Sequence, residues 1–177
     1  MRIGIDARFY GPIGTGIGIY TQNLLDQLQK LDQDNEYFIF LRRENFNLFQ
    51  IQNPRFHKIL ADYQWYSIKE QILFPLKLHK YKLDLVHFAH FNVPLFYFKK
   101  FIVTIHDLIQ RDLTKKDSKL PAAVFYFKKA VYFLVIKNAL KRAKKIIAVS
   151  NFSKEKILKY YKKIDAHKIE VIYEAGK

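Results

Sequence analysis

Seven short apolar runs, separated by segments with helical spacing, constrain this chain more than any other feature of its sequence. The runs are Ile3 to Ile5, Tyr37 to Leu41, Phe56 to Leu60, Leu83 to Phe88, Phe101 to Ile105, Ile146 to Val149 and Ile169 to Tyr173. The second is apolar without a break, as strands covered on both faces are. Between the first two runs, Tyr20, Leu24, Leu28 and Leu31 recur every three or four residues, with Leu25 beside them, which is the apolar stripe of a helix packed on a sheet. Trp65 to Leu78 has helical spacing interrupted by Pro75. A long basic helix is predicted from about Pro121 to Lys145, since Pro is tolerated in a first turn. Another is predicted from about Ser153 to Tyr161, with Ser150 able to cap it. This alternation specifies an α/β class: a single Rossmann-like domain over residues 1–177, with a mostly parallel sheet and helices on both faces.

In such sheets a ligand sits outside the carboxyl ends of the strands. That rule selects four stretches: Asp6 to Gly18, His87 to Asn92, His106-Asp107 and Ser150 to Ser153. The first holds four of the six glycines, Gly11, Gly14, Gly16 and Gly18, just before a helix. Glycine allows close backbone approach and a helix N-terminus offers unpaired N–H groups, so Gly14, Gly16 and Gly18 are candidates to bind phosphate. The spacing is not that of a dinucleotide-binding loop, because the third glycine comes one residue early, and an NAD enzyme is disfavoured. A plain tight turn explains the same residues.

His106-Asp107 is the best polar pair. An imidazole there can bond a sugar hydroxyl or act as a base, while the carboxylate holds its tautomer or orders the loop. The structural alternative is a strand-end His bonded to backbone, with Asp capping a turn. His87 and His90 sit among aromatics with no thiolate or carboxylate cluster to complete a ligand set, so they are read, with Asn92 and Ser150, as pocket lining rather than a metal site.

Lys and Arg number 31 against 16 Asp and Glu, a formal charge of +15 that implies an anionic partner. Nucleic acid, anionic lipid and phosphorylated small molecules fit, and so does a Lys-rich composition with no function attached. There is no cysteine, which makes a reducing cytosol the natural compartment. The chain opens directly on a strand pattern, and its longest uninterrupted apolar run, Ala130 to Ile136, falls far short of the roughly twenty residues of a membrane span. A soluble or peripheral cytoplasmic protein is expected. Lys115 to Lys145 holds ten basic residues and Asp117 as sole acid, interleaved with aromatics. On a helical wheel Lys129, Lys137, Lys141, Lys144 and Lys145 share one half, as in a helix resting on an anionic membrane; a solvated Lys face on a core helix is the alternative.

Five landmarks in order resemble the N-terminal domain of the retaining glycosyltransferases of family 4, which have the two-domain GT-B fold. They are Met1 to Arg8 with Gly14 to Leu25, then Leu85-Val86-His87-Phe88, Val103 to Leu108, Ile147 to Lys154, and Lys168 to Tyr173. The resemblance implies transfer of a sugar from a nucleotide-sugar to a glycan or lipid-linked acceptor, with retention of configuration and with no metal or other cofactor. It makes Gly14 and Gly16 neighbours of the donor diphosphate, His106 the residue contacting the donor sugar and Asp107 its loop support. Ile19 stands where many relatives carry Arg. The chain stops at Lys177, so the donor-binding second domain, with its paired glutamates and phosphate-neutralising cation, is expected from elsewhere, and this chain alone is expected to be inactive. The competing non-catalytic reading is a basic module for anionic membrane or, less well supported, nucleic acid.

Overall fold

A computed structural model describes residues 1–12 and 15–174. Seven strands form one sheet: β1 (Arg2–Asp6), β2 (Glu36–Leu41), β3 (Phe56–Leu60), β4 (Leu85–Phe88), β5 (Phe101–Ile105), β6 (Lys145–Ala148) and β7 (Ile169–Val171). Their order is β3-β2-β1-β4-β5-β6-β7, and every pairing is parallel. The helices are α1 (Thr15–Leu31), α2 (Ile68–Lys80), α3 (Ile109–Asp112), α4 (Ala122–Arg142) and α5 (Asn151–Tyr160).

Right-handed crossovers fix which face each helix covers. The steps from β1 through β2 to β3 run toward one edge and those from β3 onward run toward the other, so α1 lies on one face and α2, α4 and α5 on the opposite one. The core divides accordingly. Leu25 of α1 packs with Ile5, Tyr37, Ile39, Leu41 and Phe56, whereas Phe74 and Leu78 of α2, Val135 to Leu140 of α4 and Ile157 of α5 enclose Phe38, Phe40, Val86, Phe88, Val103 and Ile146. Alternate residues of β2 serve the two cores, which is why that run is apolar throughout.

Three boundaries differ from the sequence expectation. Helix α1 begins at Thr15, so Gly16 and Gly18 lie in its first turns rather than in a loop. Helix α2 starts at Ile68 behind the Ser67 cap and continues through Pro75 to Lys80. An interior proline costs roughly 3 kcal/mol; burial of Phe74, Pro75 and Leu78 under the sheet offsets it. Helix α4 stops at Arg142 because Ala143 turns to extended backbone and the Lys144 N–H donates to the Phe101 carbonyl. Lys144 and Lys145 therefore leave the helix, and Lys145 opens β6, so the membrane-facing set of five lysines does not share one helical face.

Candidate active-site cleft

The sheet order reverses between β1 and β4, whose ends pair as Asp6 with Phe88. A crevice at this switch point is the expected ligand position in a doubly wound sheet. The chain leaving β1 is fixed from below by Asn45, whose Nδ2 donates to the carbonyls of Ala7, Arg8 and Tyr10 at 3.1–3.2 Å. Gly11 then takes a φ of +83°, in the left-handed region that favours glycine.

Two of the candidate glycines have separate tasks. A Cβ on Gly18 would stand 2.0 Å from the Gly11 carbonyl oxygen and 2.5 Å from that of Phe9, so only a glycine lets the helix approach the loop this closely. A Cβ on Gly16 would meet nothing within 4 Å. Gly16 faces open space at the start of α1, in the wall of a mostly apolar cavity of about 660 Å³ between α1 and the sheet, lined by Ile3, Ile5, Ile102 and Ile147 together with Tyr20, His87 and Glu174. Gly14 lies outside the described residues.

His106 follows β5. Its Nε2 lies 2.9 Å from the Ala89 carbonyl and its Nδ1 2.7 Å from a Glu174 carboxylate oxygen, while the Tyr20 ring meets it edge-on at 4.9 Å. Its backbone is also held, since the buried Ser153 donates from Oγ to the His106 carbonyl at 2.8 Å. Ser150 acts one step back: its Oγ accepts from the Ser153 N–H, capping α5, and lies 3.1 Å from the Ser153 hydroxyl. Asp107 accepts from the Ile109 N–H at 2.9 Å and so orders the turn into α3. Beneath His106 and Asp107 a second cavity of about 210 Å³ is walled by His90, Gln110 and Tyr132.

His87 and His90 are both buried and do not act together. His87 Nε2 lies 2.8 Å from Thr104 Oγ1, which in turn reaches the Tyr20 hydroxyl at 3.1 Å. Burial, then the neighbouring His106, lowers the His87 pKa to about 4, with Asp6 opposing. His90 packs between the rings of Phe9 and Phe91, and burial pushes its pKa down to about 3. Asn92 is turned away from the cleft, donating to Glu70 Oε1 at 2.7 Å.

That Glu70 belongs to a buried ionic network that sequence reasoning missed. Arg8 donates from Nε and Nη2 to the two Asp6 oxygens, each at 2.8 Å, and its Nη1 makes a charge contact of 2.7 Å with Glu70 rather than an aligned hydrogen bond. The guanidinium lies 4.1 Å over the Phe74 ring. Burial opposes its charge, but Asp6 and Glu70 outweigh burial and raise the Arg8 pKa. For Glu70, burial dominates over Arg8 and Asn92 and moves its pKa up. With Glu70 Oε2 accepting from the Tyr66 N–H at 2.7 Å, the network ties together the loops after β1, before α2 and after β4. Asp6 and Arg8 were visible only as part of the stretch that ends the first strand; nothing local marked them as a pair or Glu70 as their partner.

A family model described as Glycosyltransferase Family 4 matches residues 14–175. The chain belongs to glycosyltransferase family 4. Among solved structures, that of Anabaena Alr3699/HepE in complex with UDP and glucose is 13% identical, with a TM-score of 0.56 over 99% of this chain and 45% of its own. The wall teichoic acid polymerase TagF is 12% identical, with a TM-score of 0.55 over 98% of this chain and 38% of its own. At such identities the likeness is one of fold, that of one Rossmann-like half of a GT-B architecture, and this chain spans less than half the length of either structure. No curated protein matches the sequence.

The basic residues of this family 4 domain fall into separate groups. Lys129 donates to the Leu113 carbonyl. Lys137 and Lys141 face a groove between α4 and α5 that Arg111, Tyr160 and Lys163 also line, on the outer side of the sheet. No helix among the described residues is long and apolar enough to cross a membrane.

Proposed function

We propose that this family 4 domain is the acceptor-side half of a glycosyltransferase that moves a sugar from a nucleotide-sugar to an acceptor with retention of configuration. The observation that carries this reading is that Gly16, in the first turn of α1, and Glu174 line one cavity, while Glu174 Oε1 lies 2.7 Å from Nδ1 of the strand-end His106. A helix N-terminus favours phosphate, and on that ground the donor diphosphate is assigned to Gly16 and Gly14. His106 is assigned to the donor sugar, once Glu174 gives way, and Asp107 and Ser150 to the support of its loop. The solved complex of Alr3699/HepE with UDP and glucose supports a nucleotide-sugar donor.

Stabilisation of the leaving diphosphate, often among the largest catalytic terms, is assigned to a donor-binding unit on the same or another polypeptide, with no metal required. The acceptor in this reading is a lipid-linked or cell-surface glycan precursor met at the cytoplasmic face of an anionic membrane, consistent with the charge of +15. The test is transfer from a panel of labelled nucleotide-sugars by the 177-residue chain alone and joined to a family 4 donor-binding domain. Transfer only in the joined form is expected. Robust turnover by the chain alone would overturn the half-enzyme assignment, and no transfer in any pairing would overturn the transferase reading.

A further inference from the structure

We propose that the groove between α4 and α5 is a binding site for an oligophosphate, a group carrying two or more phosphates in a row. The groove has a volume of about 510 Å³, within the range of small-molecule sites. Arg111, Lys137, Lys141, Lys162 and Lys163 line it, and no acidic residue does. Five like charges around one concavity repel one another, and a cleft of a single sign concentrates counter-ions. Helix C-termini favour cations, which accounts for Lys141 in the last turn of α4 and for Lys162 and Lys163 past the end of α5. It does not account for Arg111 and Lys137.

Arg111 decides the class of ligand. Its guanidinium carbon lies 4.1 Å from the Tyr160 ring centroid, 5.2 Å from that of Phe133 and 5.8 Å from that of Tyr161. Aromatic rings thus hold the group in place without using its N–H donors. Among the described residues it pairs with no carboxylate. Its neighbour Asp112 is engaged with Lys156 at 3.0 Å and with the Tyr160 hydroxyl at 3.4 Å, and Asp165 accepts from the His167 N–H at 2.9 Å. Tyr161, which also lines the groove, adds a buried hydroxyl with no hydrogen-bond partner among the described residues. A planar donor fork fixed in this way matches phosphate oxygens in pairs. The four exposed lysines around it answer further negative charge, more than a single phosphate carries.

The site bears on the turn after His106. Arg111 belongs to α3, which begins at Ile109, and Asp107 accepts from the Ile109 N–H at 2.9 Å. A ligand that bridges Arg111 to the lysines of α4 and those past α5 ties α3 to both helices, and through α3 it restrains the loop that carries His106 and Asp107. Sugar transfer should then respond to oligophosphate. That consequence rests on the transferase reading above; the site itself does not.

The test is isothermal titration calorimetry of the full chain with inorganic tripolyphosphate, pyrophosphate and phosphate, beside co-sedimentation with phosphatidic acid/phosphatidylcholine vesicles, which present phosphate on a lipid. One tripolyphosphate per chain is expected, bound more tightly than pyrophosphate and far more tightly than phosphate, and less tightly as salt rises. A Lys137→Gln, Lys141→Gln variant should weaken it roughly tenfold or more, by loss of charge-assisted hydrogen bonds. Arg111→Lys, which keeps the charge without the planar fork, should also weaken it. A Lys99→Gln, Lys100→Gln variant, outside the groove, should bind as the parent does, and circular dichroism checks that each variant is folded. Equal weakening in the Lys99/Lys100 variant would show a response to net charge alone, and binding that survives the groove variants would lie elsewhere, at α1 or over the general surface. Either result overturns the proposal, as does no binding at millimolar ligand in low salt, retention by the vesicles only, or preference for an RNA oligonucleotide over tripolyphosphate. Binding in the groove by a chain that supports no transfer in any pairing would count against the transferase reading and leave the site intact.

Discussion

Glu174 holds the Nδ1 of His106 at 2.7 Å across 68 positions of sequence. The opposite ring nitrogen faces the Ala89 carbonyl, so both polar atoms of the imidazole are engaged within the chain. A sugar hydroxyl that bonds His106 has to displace one of them, and Glu174, an exposed side chain where the other partner is a backbone carbonyl, is the one that can move.

In the complete enzyme, His106→Ala should lower kcat/KM by roughly ten- to a thousandfold through loss of one positioned polar contact, with the fold unchanged by circular dichroism. Glu174→Ala should instead reduce the donor KM about threefold, with kcat nearly constant, because it removes a competitor for His106. Steady-state kinetics on both variants decide the point; a fall in kcat for Glu174→Ala would show that the carboxylate orients the ring for reaction instead.

The two described glycines of α1 should respond in opposite ways to alanine. Gly18→Ala places a methyl group against two backbone carbonyls that cannot rotate away, a clash costing about 1–3 kcal/mol. Gly16→Ala enters open space and should raise stability by a few tenths to about 1 kcal/mol through helix propensity. Thermal melting reads both, and comparable losses for the two would contradict the close approach at Gly18.

Arg8→Met should destabilise the domain by about 3–5 kcal/mol, because Asp6 and Glu70 are left as buried carboxylates without a cation. Adding Asp6→Asn and Glu70→Gln to the same variant should recover a large part of that loss. Urea unfolding midpoints measure it. A single variant as stable as the parent would mean that the network carries no net electrostatic weight.

Acid should destabilise the domain through its buried histidines. His87 has its pKa lowered from 6.5 to about 4 in the fold, so below pH 6.5 the unfolded chain binds a proton that the folded chain refuses. Stability is then fully present above pH 6.5 and is lost as pH falls through about 4, with a slope of up to about 1.4 kcal/mol per pH unit per group. His90 acts in the same direction, with its folded value near 3. Unfolding free energy measured between pH 7 and 4 should show a shallower slope in His87→Gln, which keeps a polar contact to Thr104 without titrating.

The sheet was legible because each strand is an apolar run short enough to stand apart from its neighbours, and the site was legible as far as strand ends mark it. His106, Asp107 and the glycines all follow a recognisable run. What was not legible depends on partners distant in sequence. The end of α4 is decided by Lys144 bonding to Phe101 and not by helix propensity, and Pro75 survives within α2 because tertiary burial outweighs its local cost. Asn92 looked like a cleft residue by position, yet a buried carboxylate on α2 claims it. Ser153 reaches the His106 carbonyl across 47 positions; by sequence it was only the start of a helix.

The strand order has a consequence for how the chain is made. β1 is synthesised first and lies inside the sheet; β2 and then β3 add to one side of it, and β4, β5, β6 and β7 add in turn to the other. A polypeptide leaving the ribosome at about 5–20 residues per second thus delivers each new strand to an edge that already exists, and none has to be threaded between two that have already paired.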